Sequence, residues 1–146
     1  MNQRPKSAPL GSVRIIAGSL RGSKLPVPDR PGLRPTSDRV RETLFNWLGQ
    51  DLSGWRCVDA FAGTGVLGLE AASRGAAHVL MVEQDAVLVR DLQDNATRLK
   101  ASMVSVQRGD AVSTLGRLPA KARPINVLFR RGEWAQYAVI RPTAAR

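Results

Sequence analysis

Apolar residues along the chain alternate between short continuous runs and stretches with helical spacing. Helical spacing is clearest after Asp85, which we predict to cap a helix in which Leu88, Leu92 and Leu99 recur on one face. The short runs predict strands that are buried on both faces. These strands are one that ends at Asp59, then Ala76–Glu83, Val104–Gln107 and Ile125–Phe129. Strands that alternate with helices predict an α/β fold with a parallel sheet.

The first fifty residues show a different pattern. Val13–Ala17 and Ser23–Val27 are short extended runs on either side of a Gly-rich stretch, which predicts a β-hairpin. A second prediction is the amphipathic helix Asp38–Leu48, closed by Gly49. Thr36, Ser37 and Asp38 are its possible N-caps, and its apolar face is expected to comprise Val40, Leu44, Trp47 and Leu48.

A Gly-rich turn follows the strand that ends at Asp59. Gly63, Gly65 and Gly68 satisfy the pattern G-x-G-x-x-G, and Val66–Arg74 predicts a helix that ends before Gly75. A strand, a Gly-rich turn and a helix form the arrangement that places backbone N–H groups beside a nucleotide-like ligand.

Acidic residues mark the ends of three predicted strands: Asp59, Glu83 and Asp110. A carboxylate after the second strand is placed to bind a ribose diol. Asp59 lies directly before the glycines, where it suits the ammonium group of S-adenosylmethionine and offers nothing to the pyrophosphate of NAD. S-adenosylmethionine is therefore favoured over NAD. The alternative for Asp59 is that it only caps the turn.

The chain is strongly basic, with a net charge of +10 over 146 residues and a pI near 11.3. Residues 1–50 hold nine Lys or Arg residues against three acids. This balance favours a polyanionic partner such as nucleic acid, although a solvated basic surface would look the same. Arg39 and Arg41 lie in the first turns of a predicted helix, where cations gain nothing from the helix dipole, and they suggest an anionic ligand nearby.

Other residue types limit the possible functions. The single cysteine, Cys57, lies in an apolar strand and is expected in the core, so we predict neither a disulfide nor a metal site. His78 has no His or Cys near it in sequence and is expected to be structural. No apolar run is long enough for a membrane span, and the polar start lacks a secretion signal, so a cytoplasmic location is expected.

Two blocks resemble a known family. Arg34–Asn46 (RPTSDRVRETLFN) and Asp59–Gly65 (DAFAGTG) are similar to the bacterial 16S ribosomal RNA guanine-N2 methyltransferases of the small-subunit methyltransferase D type. The likeness runs from about residue 13 to about residue 129. It implies a Rossmann-like class I methyltransferase sheet with an N-terminal hairpin and helix, S-adenosylmethionine as cofactor, and 16S ribosomal RNA or the small ribosomal subunit as partner.

The resemblance also implies roles for individual residues. Thr36 would lie beside the cofactor, Asp59 to Gly65 would hold its methionine portion, Glu83 its ribose, and Asp110 with Ala111 its adenine. The full set of expected cofactor-binding residues is Thr36, Asp59, Phe61, Ala62, Gly63, Gly65, Glu83, Asp110 and Ala111. The expected RNA-binding residues are Arg14, Arg21, Lys24, Arg34, Arg39 and Arg41.

The sequence departs from the family pattern after Phe129. Such enzymes flip the target base into a pocket beside an Asp/Asn-Pro-Pro-Phe/Tyr loop, and this sequence contains neither Asp-Pro-Pro nor Asn-Pro-Pro. We therefore expect an incomplete sheet with an exposed edge at its fourth strand, and a truncated or frame-shifted copy whose likeness ends near residues 124 to 129. The expected organisation is a disordered tail (1–12), an RNA-binding hairpin and helix (13–50), a cofactor-binding domain (51–129) and an atypical segment (130–146).

Three functions remain open at this point. The first, which the resemblance favours, is a methyltransferase acting on the exocyclic N2 of a guanine in 16S ribosomal RNA; because the Asp/Asn-Pro-Pro-Phe/Tyr loop is missing, no catalytic residue can be named and activity of this chain stays open. The second is a non-catalytic RNA-binding module, suggested by the charge and by the missing loop. The third is a NAD-dependent dehydrogenase, suggested by the glycine pattern alone.

Overall fold

The computed structural model describes residues 9–30, 33, 37–119, 125–130 and 138–140. An N-terminal hairpin is followed by helices and strands in alternation. In chain order the elements are β1 (Pro9–Arg14), β2 (Lys24–Pro28), α1 (Asp38–Leu48), β3 (Arg56–Asp59), α2 (Val66–Ser73), β4 (His78–Glu83), α3 (Ala86–Arg98), β5 (Val104–Arg108), α4 (Ala111–Gly116), β6 (Val127–Arg130) and β7 (Ala138–Ile140).

The main sheet has the strand order β5-β4-β3-β6-β7. Its first four strands are parallel, and β3 lies between β4 and β6, so that Cys57 pairs with both Val79 and Val127. The predicted parallel α/β sheet is confirmed. The expected exposed edge at β6 is wrong, because β7 pairs with β6 in the antiparallel direction.

The hairpin is also confirmed, with β1 antiparallel to β2. Its first strand begins at Pro9, so residues 9–12 belong to the hairpin and not to a tail. Residues 1–8 lie outside the described part of the chain.

Helix α1 has the predicted bounds but a different buried face. The Ser37 hydroxyl accepts a hydrogen bond from the backbone N–H of Val40, and Gly49 ends the helix in the left-handed conformation. The inward residues are Arg41, Leu44, Phe45 and Leu48, whereas Trp47 is 75% exposed and Val40 is 39% exposed. The predicted apolar face is therefore wrong in two of its four positions, because a buried arginine takes part in the inner face.

The core lies where α1, α2 and α3 cover one face of the main sheet. Alternate strand residues such as Cys57, Val79 and Phe129 point into it. Phe45 of α1 contacts Phe129 of β6, with ring centroids 5.7 Å apart. Cys57 is fully buried, as predicted, and burial raises the pKa of its thiol to about 12. This packing fixes the loops at the carboxyl edge of the sheet.

Candidate functional site

Three carboxylates lie at the carboxyl edge of the parallel sheet. Asp59 ends β3, Glu83 ends β4, and Asp110 follows β5 as the N-cap of α4. The Gln84 side-chain amide donates to Asp110 over 3.4 Å and joins the last two strand ends. The predicted placement of these acids on one edge is confirmed, while their contacts with a ligand stay a prediction.

The Gly-rich turn crosses from β3 to the end of β4 before α2 begins. Gly63 and Gly65 both have positive φ values, +55° and +81°, which favour glycine. The Gly63 backbone N–H donates to Glu83 Oε1 over 3.0 Å, and the Ala62 N–H donates to the Val82 carbonyl over 3.0 Å. Both contacts hold the turn against β4.

The Asp59 carboxyl group binds the first turn of α2. Its side chain is buried, and its Oδ2 accepts a hydrogen bond from the Gly68 backbone N–H over 3.1 Å. A carboxylate at this position satisfies one of the free N–H groups of the first helical turn and complements the helix dipole. The capping role that the sequence left open is therefore present, and a contact with a ligand ammonium group remains a prediction.

Burial raises the pKa of Asp59 from 3.8 to about 7. The Gly68 and Phe61 backbone N–H groups lower that pKa, and the charge of nearby Glu83 raises it further. Near neutral pH this carboxyl group is therefore divided between its acid and its carboxylate forms, which makes the site sensitive to pH.

We expect the stability of the wild-type chain to fall, relative to an Asp59→Asn variant, as the pH rises from 3.8 to about 7. Below 3.8 both the folded and the unfolded chain hold the proton; between the two pKa values only the folded chain holds it. Above about 7 both have lost the proton and the difference stays constant. Urea unfolding at about pH 5 and about pH 8 measures this difference. Asp94→Asn, on the exposed side of α3, is the control, and equal pH dependence in both variants would contradict the assignment.

Glu83 connects the turn to the start of α3. Its Oε1 accepts from Gly63, and its Oε2 accepts from the Asp85 backbone N–H over 2.9 Å. Each carboxylate oxygen has two lone pairs, so both can also accept from a hydroxyl group. Asp85 caps α3, as predicted, and its carboxylate binds the Arg30 guanidinium over 2.8 Å. Hydrogen bonding to Arg30 lowers the pKa of Asp85 against the opposing effect of burial.

Leu33, in the segment between β2 and α1, lies against the Gly-rich turn. A Cβ atom added to Gly63 would lie 3.1 Å from Leu33 Cδ1, so the Leu33 side chain closes one side of the turn. Thr36, expected beside the cofactor, belongs to the same segment but lies outside the described residues.

The remaining expected cofactor residues lie around this edge. Phe61 is 49% exposed at the tip of β3, whereas Ala62 and Ala111 are buried. Asp110 is exposed, and its Oδ2 accepts from the Ser113 backbone N–H over 2.9 Å. This hydrogen bond lowers the pKa of Asp110 and keeps it ionised.

The expected RNA-binding cations divide into three groups. Arg14, Arg21 and Lys24 are exposed on the hairpin, and Arg39 is exposed on α1. Arg34 lies outside the described residues. Arg41 is completely buried, so its expected contact with RNA is wrong. The anion near Arg41 is internal, because its guanidinium binds Glu70 over 2.9 Å and also binds Asp38.

Glu70 is the residue that sequence reasoning missed. It is fully buried on α2, and its carboxylate binds the guanidinium groups of both Arg41 and Arg74. The Arg74 guanidinium also lies 4.5 Å above the centre of the Phe45 ring. The available signal was an acid inside the apolar sequence Val66–Ala72, where an unpaired charge would be very costly.

The described part of the chain contains no group of three or more His, Cys, Asp or Glu side chains that could hold a metal ion. His78 is exposed at the start of β4, at the edge opposite the three carboxylates. None of the described helices is long and apolar enough to cross a membrane.

Known proteins are similar to this chain in sequence and in fold. A family model described as "Conserved hypothetical protein 95" matches residues 13–144, and so extends beyond residues 124 to 129, where we expect the likeness to end. The Escherichia coli (strain K12) protein named Ribosomal RNA small subunit methyltransferase D is 48% identical over 127 residues, which are 87% of this chain and 63% of that protein. The Haemophilus influenzae protein of the same name is 53% identical over 92 residues, which are 63% of this chain and 48% of that protein.

A solved structure of the Escherichia coli protein yhhF matches with a TM-score of 0.65 and 48% identity, covering 72% of this chain and 56% of that one. The Rossmann-like class I methyltransferase fold is therefore confirmed. The chain spans less than two thirds of the length of each of these relatives.

Proposed function

Because the chain belongs to the family described as Conserved hypothetical protein 95, we propose that it binds S-adenosylmethionine and methylates ribosomal RNA of the small subunit. The observation that carries the proposal is the Gly-rich turn, which the Glu83 carboxylate holds against β4 through one hydrogen bond to each of its oxygens. Each oxygen has a second lone pair, which can accept from a hydroxyl group. This arrangement suits a ribose diol and an adjacent methionine portion. The names of the relatives support ribosomal RNA as the substrate.

The chemistry we propose is transfer of the methyl group from the sulfonium of the cofactor to the exocyclic N2 of a guanine. This nitrogen is a poor nucleophile because its lone pair is delocalised into the ring. The enzyme must therefore hold the flipped base in line with the methyl group and accept the released proton. The described residues of this chain supply the cofactor side of that arrangement, and none of them is assigned as the proton acceptor.

The exposed cations of the hairpin supply the RNA side of the proposal. Arg14, Arg21 and Lys24 are exposed on one short hairpin, formed by β1 and β2. Phosphate contacts of this kind fix the register of an RNA without reading its sequence. Their affinity falls steeply with salt, because bound counterions are released.

Calorimetric titration of S-adenosylhomocysteine into the chain, with NADH as a control, tests the cofactor. Binding of the first alone is expected, and binding of NADH alone would favour a dehydrogenase. A Glu83→Ala variant is expected to lose on the order of 1.5–3 kcal/mol of binding free energy, because a charge-assisted hydrogen bond is removed. Glu42→Ala, an exposed acid of α1, is the matched control and should bind as wild type does.

A second candidate function is an RNA-binding module without methyl transfer, which the net charge of +10 and the absent Asp/Asn-Pro-Pro sequence favour. Both candidates predict RNA affinity that depends on salt. Transfer of a labelled methyl group to small-subunit ribosomal RNA divides them: incorporation supports the enzyme, and cofactor binding without incorporation supports the module.

A further inference from the structure

The connection between β1 and β2 is bound along its length to α2. The backbone N–H groups of Ile16 and Ala17 donate to the two carboxylate oxygens of Glu70, over 2.9 and 3.1 Å. One α2 turn later, Ser73 accepts from the backbone N–H groups of Ser19 and Leu20, each over 2.8 Å. We call Glu70 and Ser73 the hairpin clamp.

The same helix begins at the Gly-rich turn. Gly65 is the N-cap of α2, and the Gly68 N–H binds Asp59, only two residues before Glu70. Helix α2 therefore has one end in the candidate cofactor site and its other end in the hairpin clamp. Arg41 adds α1 to this unit, because its guanidinium donates to the Arg14 carbonyl over 2.7 Å as well as to Glu70.

The cations of the hairpin directly flank the clamped segment. Arg14 ends β1 just before Ile16, and Arg21 follows Leu20. Their backbone is thus fixed by α2 while their side chains remain exposed. The distance from these cations to the Gly-rich turn is set by one short rigid helix.

We propose that the hairpin clamp is a positioning device. It holds the basic hairpin at a fixed place relative to the Gly-rich turn, so that RNA bound on the hairpin is aligned with the cofactor. The inference rests on the proposed function and adds Glu70 and Ser73 to it as positioning residues. A two-stranded hairpin by itself is only marginally ordered in water. Release of the clamp therefore adds an ordering cost to RNA binding, since the cations must be immobilised when the RNA arrives.

Two glycines of the hairpin offer a matched test. Gly18 and Gly22 have similar positive φ values, +89° and +84°, so alanine brings the same backbone strain at both. An alanine Cβ at Gly18 would lie 1.9 Å from the Ser73 carbonyl oxygen, and the connection must move off α2. At Gly22 an alanine Cβ meets nothing within 4 Å. Only the first change opens the clamp.

The experiment measures two affinities for each variant: that for a labelled fragment of small-subunit ribosomal RNA, and that for S-adenosylhomocysteine. We expect Gly18→Ala to weaken RNA binding about tenfold or more, because the hairpin is then no longer ordered before the RNA binds. The same variant should change S-adenosylhomocysteine binding less than about twofold. Gly22→Ala should leave both affinities within about twofold of wild type. Ser73→Ala, which removes only the hydroxyl group, should show a smaller loss in the same direction.

Two results would overturn the proposal: RNA binding by Gly18→Ala as tight as wild type, or an equal loss in Gly22→Ala. A global loss of structure would lower both affinities together. Weaker RNA binding with unchanged S-adenosylhomocysteine binding is therefore the result that is specific to a positioning role. If wild type binds neither ligand, the proposed function fails by itself. The clamp is then judged by hydrogen exchange at the Ile16 and Ala17 amides, which should lose protection in Gly18→Ala alone, and unchanged protection there would reject it.

Discussion

Replacing Glu70 by alanine is expected to lower the free energy of unfolding by about 3–5 kcal/mol, the usual cost of removing one partner from a buried ion pair. The variant would remove the buried Glu70 carboxylate from the Arg41 and Arg74 guanidinium groups. It would also leave the N–H groups of Ile16 and Ala17 without their acceptor. A loss of this size is a large fraction of the stability of an ordinary domain.

Urea unfolding followed by circular dichroism measures this loss. Glu42→Ala removes the same charge from an exposed position of α1 and is expected to change stability by less than about 0.5 kcal/mol. Glu70→Gln keeps the shape and one acceptor oxygen and should fall between the two. A Glu70→Ala variant as stable as the Glu42→Ala control would show that the network is not formed in solution.

The Gly65→Ala substitution is expected to remove cofactor binding and to lower stability by about 2–5 kcal/mol. About 1–2 kcal/mol comes from a left-handed backbone that carries a Cβ atom, and about 1–3 kcal/mol from overpacking. The new Cβ would lie 2.5 Å from Leu92 Cδ2 and 3.4 Å from the Met81 sulfur, inside the core beneath the turn. Because Leu92 and Met81 are both fully buried and have little room to move, we expect relief of these contacts to displace the turn that is proposed to hold the cofactor.

Gly54→Ala is the matched control for this change. Gly54 has a φ of +80° against +81° at Gly65, and an added Cβ there meets nothing within 4 Å. The control should show the backbone term alone, about 1–2 kcal/mol, and normal affinity for S-adenosylhomocysteine. Equal cofactor affinity in Gly65→Ala and wild type would remove the turn from the binding site.

Features that depend on neighbours in sequence could be predicted well. Helix α1 has the predicted bounds, because its cap at Ser37 and its end at Gly49 are set by local backbone chemistry. The carboxyl ends of β3 and β4 were placed correctly, because an apolar run followed by an acid is also a local signal. The same reasoning brought Asp59 and Glu83 to one edge of the sheet.

Features that depend on distant partners could not be predicted in this way. The inner face of α1 contains Arg41, whose buried guanidinium binds the Glu70 carboxylate, 29 residues away in sequence. Because the face of α1 that contains Arg41 is turned inward, Trp47 lies on the exposed side of the helix. The short helix α4 was missed because its six residues carry no helical period.

The chemistry of the site was only partly visible for a similar reason. Spacing suggested that Asp59 and Glu83 face a ligand, whereas the structure shows that both also hold the protein backbone, at Gly68 and at Gly63. A carboxylate at a strand end has the same sequence signal in either role. The two roles become distinguishable only when its hydrogen-bond partners are known.

The place of β6 in the sheet has a consequence for the order in which the chain folds. The contact between Gly63 and Glu83 spans 20 residues, and the clamp contacts of Glu70 span 53 and 54. Pairing of β3 with β6 brings Arg56 and Asn126 together across 70 residues. Long loops close slowly, so the turn and its support on β4 are expected to form early during folding. The pairing of the central strand β3 with β6 is then among the last contacts to form, and a nascent chain has its Gly-rich turn before it has its complete core.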